Sequence, residues 1–197
     1  MQQSRVTIFN GKAQLLDAHT ILVAGVQGTA KRILIATGGW PFVPDIAGKQ
    51  YIVTSNELFF LDKLPKRIVI VGGGYIAVEF AGILNGLGVD TTICQRGEKL
   101  LEGFDEDIRD FLGTAMIKQG IKILFNSDVQ TITADGDAFA VSLLDGNIMT
   151  TDLVMYATGR TPNSAGFGLE QLGVALDDKG AIIVDSHYRT NLRSIYA

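Results

Sequence analysis

The sequence predicts an α/β fold: a parallel sheet with crossover helices, completed by an antiparallel β-meander. Three observations carry that expectation. Apolar runs of strand length alternate with stretches of helical periodicity between Lys66 and Phe125. Glycines punctuate the changeovers at Gly72-Gly73-Gly74, Gly88 and Gly120. After that, the apolar period changes to two, with Asp-Gly turns between the runs.

In chain order, Arg5–Phe9, Gln14–Leu16 and Thr20–Ala24 are short β-prone runs. Asn10-Gly11 and Asp17-Ala18-His19 separate them, which predicts a meander of short strands. Lys31–Ala36 (KRILIA) reads as a continuous apolar strand of the buried type, stopped by Thr37-Gly38-Gly39. The stretch containing Trp40, Pro41, Pro44 and Gly48 reads as a linker. Thr54-Ser55-Asn56-Glu57 offers a capping residue and a first-turn acid, predicting a short helix that ends near Leu61.

Arg67–Val71 (RIVIV) is a buried strand, the three glycines a tight turn, and Tyr75–Leu87 a helix broken at Gly88. Thr91–Gln95 is the next strand. Asp105–Gln119 has acids in its first turn and apolar residues at helical spacing, and it stops at Gly120. Ile121–Phe125 is the third strand, and this alternation implies parallel pairing through right-handed crossovers. Val129–Ala134, Ala138–Leu144 and Ile148–Thr150 form the meander, inserted before a strand at Leu153–Ala157. Ile182–Asp185 and Ser194–Tyr196 are two short strands of the tail.

Composition narrows the functional classes. At 47% hydrophobic and 19% charged, the 197 residues can bury a substantial core, and wholesale disorder is excluded. The net charge is −4 and basic residues occur singly or in pairs, so no nucleic-acid partner is expected. No apolar run approaches the roughly 18 residues of a membrane span, and MQQSRVTIFNGK has no signal-peptide core. A cytoplasmic location without membrane association is the resulting expectation. Cys94 alone excludes an internal disulfide and a multi-cysteine metal site, and two histidines leave little for zinc or a Ser–His–Asp arrangement. Cys94 reads as a packed strand residue, His19 and His187 as surface polar residues. Chemistry carried by a cofactor, with no metal, is expected.

The motif that points to a cofactor is Gly72-x-Gly74-x-x-Ala77, between a strand and a helix. The first glycine permits the sharp turn. The second lets backbone amides approach a pyrophosphate, and small Ala77 lets helix and strand pack closely. Phosphates would then sit at the positive end of the following helix, a Rossmann-like arrangement. The end of the next strand selects the dinucleotide: an acid accepts ribose hydroxyls, whereas an arginine pairs with a 2′-phosphate. Here Gln95 is neutral and Arg96 is cationic, which favours NADPH. The competing reading of Arg96 is a solvated surface arginine.

Leu64-Pro65-Lys66-Arg67 followed by IVIVGGGYIAVEFAGILNGLG resembles the nucleotide domain of the glutathione reductase-like flavoprotein disulfide reductases. TSNELF, Ala157-Thr158-Gly159-Arg160-Thr161-Pro162-Asn163 and the closing RTNLRSIYA resemble the same family, so the likeness covers essentially the whole chain. It implies an FAD-dependent oxidoreductase that passes a hydride from NADPH through FAD to a disulfide, here glutathione disulfide. Residues 1–39 would be a C-terminal remnant of the FAD-binding domain, 40–161 the NAD(P)-binding domain, and 162–197 a return segment towards the FAD and central domains. Short FAD-domain strands would therefore flank the nucleotide domain.

The resemblance also implies roles. Gly72, Gly73, Gly74, Ile76 and Ala77 would form the NADPH loop, with Arg96 on the 2′-phosphate and Gly159 beside the cofactor. Tyr75 would cover the nicotinamide side of the flavin and swing away for NADPH; the alternative is a ring packed on the sheet. Glu79 would pair with a flavin-side lysine, or else be a solvated helix carboxylate. Ala13, Thr37, Gly38 and Arg160 correspond to positions near FAD, with strand-end structural roles as the alternative. No catalytic residue is expected in this chain beyond the Tyr75 gate and Glu79 support.

Departures from the family pattern shape the expectation further. The FAD-binding glycine motif, the Cys-x4-Cys pair, the Val-Gly-Asp motif and the C-terminal domain with its His–Glu pair and dimer interface are not in the sequence. The chain is therefore expected to bind NADPH without turning over, its partners being the missing FAD and dimerisation domains of a homodimeric parent. Glu102 stands where a second 2′-phosphate arginine is common, and a carboxylate there weakens preference for NADPH over NADH. A dihydrolipoamide dehydrogenase-like or other sibling reductase, and a non-catalytic nucleotide-binding remnant, are the alternative readings.

Overall fold

The computed structural model describes residues 6–197. One compact unit comprises the chain up to Trp40 together with Thr161–Ala197; the other is Pro41–Arg160. The first strands are β1 (Ala13–Leu15), β2 (Thr20–Val23), β3 (Val26–Thr29), β4 (Ile33–Leu34) and β5 (Gly39–Pro41). Next come β6 (Ile52–Val53), α1 (Ser55–Leu58), β7 (Arg67–Val71), α2 (Tyr75–Gly86), β8 (Asp90–Cys94), α3 (Glu106–Lys118) and β9 (Lys122–Leu124). Then β10 (Val129–Asp135), β11 (Ala138–Leu143), β12 (Ile148–Thr151), β13 (Leu153–Tyr156), β14 (Arg160–Pro162) and β15 (Ile195–Tyr196) complete the chain.

In the Pro41–Arg160 unit, five parallel strands are ordered β6-β13-β7-β8-β9. The chain steps outward from β7 through α2 to β8 and through α3 to β9. It then returns by way of the meander to place β13 on the other side of β7, so strand order reverses between β7 and β13. Alternation along β7 divides the core. Ile68 and Ile70 join Ala77, Ala81 and Leu84 of α2 and Met116 of α3, whereas Val69 and Val71 join Ile132, Val141 and Leu143 of the meander. Helices, parallel sheet and antiparallel β10-β11-β12 thus form three layers. Fully buried Ala77 and Ala81 bring α2 close to the sheet.

The unit formed by the two chain ends has an antiparallel β1-β2-β3 meander and a parallel β4–β15 pair. Leu15, Ile33, Leu169, Val174 and Ile195 are its buried core. Strands β5 and β14 form a further two-stranded pair.

The α/β architecture and inserted meander follow the sequence expectation closely between Arg67 and Tyr156. Asp105 caps α3 by accepting from the Asp107 and Ile108 amides at 3.0 and 3.3 Å. Thr54 and Glu57 form the expected capping box, with the Thr54 amide donating to Glu57 at 2.7 Å.

Four local expectations are corrected. Of the run Arg5–Phe9, Arg5 lies outside the described residues and Val6–Phe9 forms no strand. Lys31–Ala36 yields only β4, because its one partner is the two-residue β15, and Leu34 is exposed rather than buried. α1 stops at Leu58 instead of near Leu61, the chain tightening as the Phe60 amide donates to Glu57 O at 2.9 Å. Ile182–Asp185 is an isolated bridge at Ile182, followed by a turn whose Asp185 carboxylate accepts the His187 and Arg189 amides. Among the described residues no helix is long and apolar enough to cross a membrane.

Candidate functional site

A cleft of about 600 Å³ lies at the carboxyl ends of β7, β8 and β13, within the Pro41–Arg160 unit. This is where strand order reverses, the position at which neighbouring connections leave the sheet in opposite directions and open a crevice. Its volume falls in the range of small-molecule and cofactor sites.

The glycine turn forms one wall. Gly72 has φ +119, and its amide donates to Cys94 O at 2.8 Å, tying the turn to the end of β8. The Ala157 amide donates to Val71 O at 2.8 Å, tying it to β13. Gly73 is covered by Gln95: a Cβ there would stand 2.6 Å from Gln95 Cδ. Gly74 is the N-cap of α2 and brings no side-chain cap, and a Cβ there would meet nothing within 4 Å. The first turn of α2 holds no acid, so its amides and positive dipole end are uncompensated beside the cleft.

Arg96, Glu102 and Asp128 are exposed and line the same cleft. Arg96 pairs with no carboxylate among the described residues. Cys94 and Tyr156 are buried in its lining. Burial pushes the Cys94 thiol up to about 12, with Asp128 and Asp145 adding to it. Burial likewise raises the Tyr156 phenol, helped by Asp128 and Cys94, so both groups stay neutral. The buried Tyr156 hydroxyl has no hydrogen-bond partner among the described residues. Uncapped helix amides beside a guanidinium suit a phosphate-bearing ligand; the neutral thiol and phenol offer no activated nucleophile.

The cleft brings together Gly72, Gly73, Gly74, Tyr75, Ile76, Arg96, Gly159 and Arg160 of the sequence-based set. Tyr75 is 61% exposed, and Gly159 has φ +136. Ala77 is buried beneath the loop, and Glu79 is an exposed α2 residue that does not line the cleft. Ala13, Thr37 and Gly38 belong to the other unit, where Thr37 Oγ1 donates to Asn163 O at 2.6 Å and the Asn163 amide to Gly38 O at 2.9 Å. Sequence reasoning missed Phe42, Pro44, Ser127, Asp128 and Tyr156. Strand-end position was the available signal for Tyr156; the others follow only from tertiary placement. No cluster of three metal-ligating side chains occurs among the described residues.

The parallel sheet with this reversal, the glycine turn on a helix N-terminus and the inserted meander match the fold of the flavoprotein disulfide reductases. The HOCl-induced flavoprotein disulfide reductase RclA from Escherichia coli superimposes with a TM-score of 0.88 at 31% identity, over 95% of this chain and 44% of that one. The pyridine nucleotide-disulphide oxidoreductase family matches residues 1–197, and the chain belongs to that family. It is 44% identical over 197 residues to the glutathione reductase of Burkholderia cepacia, covering all of this chain and 44% of the relative. The glutathione reductase of Nostoc sp. is 40% identical over 209 residues, covering all of this chain and 46% of the relative. The trypanothione reductase of Trypanosoma congolense is 41% identical over 172 residues, covering 85% of this chain and 35% of the relative. The chain thus spans less than half the length of the curated relatives it matches.

Proposed function

We propose that the cleft binds NADPH, and that the chain is the nucleotide-binding portion of a glutathione reductase-like flavoprotein. One observation carries the reading: the uncapped N-terminus of α2 and Arg96, which pairs with no carboxylate among the described residues, line one cleft at the strand-order reversal. The residues fit the group. Gly74 leaves room for close approach to a pyrophosphate, the α2 amides supply donors, and Arg96 supplies a charge for the 2′-phosphate. Tyr75, exposed at the cleft, is the gate over the nicotinamide end, and Gly159 and Arg160 line the same cleft. A bound reduced pyridine nucleotide would supply the hydride; residues of this chain would bind and orient it.

FAD would be held mainly by the remaining part of the parent protein, with Ala13, Thr37, Gly38 and Arg160 contributing and Glu79 supporting the nicotinamide end. In this assignment residues 1–39 and 162–197 belong with the FAD side, and 40–161 form the nucleotide domain. The parent is a cytoplasmic homodimer that reduces glutathione disulfide. Cys94 is the one cysteine of this sequence and cannot form a redox dithiol within it, so the chain alone binds without turnover. The similarity to a trypanothione reductase supports a sibling disulfide as the second reading of the substrate.

Calorimetric titration with NADPH and NADH, on the wild-type chain and on Arg96→Ala, tests the reading. Tighter NADPH binding that collapses in the variant is expected. Equal affinities would assign the cleft to NADH with Glu102 offsetting Arg96, and no binding of either would overturn the reading.

A further inference from the structure

A loop that the family motif does not include is latched onto the glycine turn. The Leu101 amide donates to Gly73 O at 2.7 Å. Because a peptide unit is planar, holding the Gly73 carbonyl also fixes the Gly74 N–H on the opposite side of that plane. Leu101 makes this bond at φ +52, a left-handed conformation that a leucine adopts only where its surroundings impose it. Leu100 and Leu101 are buried, which anchors the loop by packing.

The same loop is held from α3. Arg109 Nε donates to Leu100 O at 2.8 Å, and its guanidinium also pairs with Glu106. Lys99 bridges Glu106 and Asp110, both at 2.8 Å, and accepts from Gln95 Nε2 at its carbonyl at 3.2 Å. Gln95 in turn lies against Gly73. A connected set of contacts therefore runs from α3 to the turn at Gly73.

We propose that Arg109 is a positioning residue for the dinucleotide: through Leu100 and Leu101 it sets the orientation of the Gly73–Gly74 peptide that meets the pyrophosphate. The inference rests on the nucleotide-binding reading above. It predicts that Arg109 matters to any ligand carrying the pyrophosphate, whatever stands at its 2′ position.

The experiment is titration of Arg109→Gln and Arg109→Lys with NADPH, NADH and 2′-AMP, together with thermal melting of each variant. Arg109→Gln is expected to weaken NADPH and NADH by the same factor, about tenfold, as pre-organisation of the donors is lost. Binding of 2′-AMP, which lacks the pyrophosphate, stays as in the wild type, and Arg109→Lys, which can still donate to Leu100 O, restores most of the loss. Unchanged NADPH and NADH affinity in Arg109→Gln would overturn the proposal. So would an equal loss of all three ligands with a lowered melting temperature, which marks general destabilisation. A wild-type chain that binds no nucleotide would instead sink the nucleotide-binding reading itself.

Discussion

Gly72 brings the end of β7 so near β13 that a Cβ on it would stand 2.5 Å from the carbonyl oxygen of Ala157. The clash is with backbone, which cannot rotate away, and φ +119 adds a conformation that side chains avoid. Gly72→Ala is therefore expected to cost about 3 kcal/mol of stability. Gly73→Ala meets only the movable end of Gln95 and should cost less than about 1 kcal/mol. Urea unfolding of the two variants side by side checks the order; equal losses would contradict it.

Tyr156 carries a buried hydroxyl without a partner among the described residues. Removing it while keeping the ring relieves a desolvated polar group. Tyr156→Phe should leave stability unchanged or raise it by about 1 kcal/mol. A marked fall in the unfolding midpoint would reveal a bond that the hydroxyl makes.

Asp152 ties the start of β7 to the turn before β13. Its Oδ1 accepts from Arg67 Nη2 at 2.6 Å and its Oδ2 from the Arg67 amide at 2.9 Å. The Arg67 side chain holds the carboxyl below its ordinary 3.8, against partial desolvation. A depressed carboxyl in the folded state contributes stability above its unfolded value and loses it as pH falls through the folded one. Melting temperature should thus be flat near neutrality and drop below about pH 4, with a shallower drop in Asp152→Asn. Parallel acid profiles for the two proteins would dismiss the contribution.

Cys94 is buried with its thiol pushed up to about 12, first by burial and then by Asp128 and Asp145. Only the thiolate is nucleophilic, so iodoacetamide at pH 8 should leave the folded chain unmodified and label it fully in denaturant. Mass spectrometry distinguishes the two. Rapid labelling of the folded chain would show that the end of β8 opens readily.

Wherever a structural signal is local, the sequence carried it. The strand at Arg67–Val71, the glycine turn, the acidic start of α3 and the Asp-Gly turns of the meander depend on neighbours a few residues away. Where the partner is distant or short, sequence reading failed. β4 is limited by β15, more than a hundred and fifty residues later, and β6 exists only because β13 lies beside it. The exposed β3 has no apolar face to announce it; pairing with β2 alone makes it a strand.

The same division holds for the candidate site. The strand–glycine–helix motif and Arg96 were legible as residues because backbone conformation and charge are properties of the local chain. Their meeting with Glu102, Asp128, Tyr156 and Gly159 in one cleft was decided by tertiary structure. The physical reason is the return of β13 to the inner side of β7. Parallel pairing there sets the Gly72 backbone against the Ala157 carbonyl, a long-range contact that no local periodicity encodes. The latch from Arg109 through Leu101 to Gly73 is of that kind too: each residue is ordinary in sequence, and only folding places a leucine amide on a glycine carbonyl.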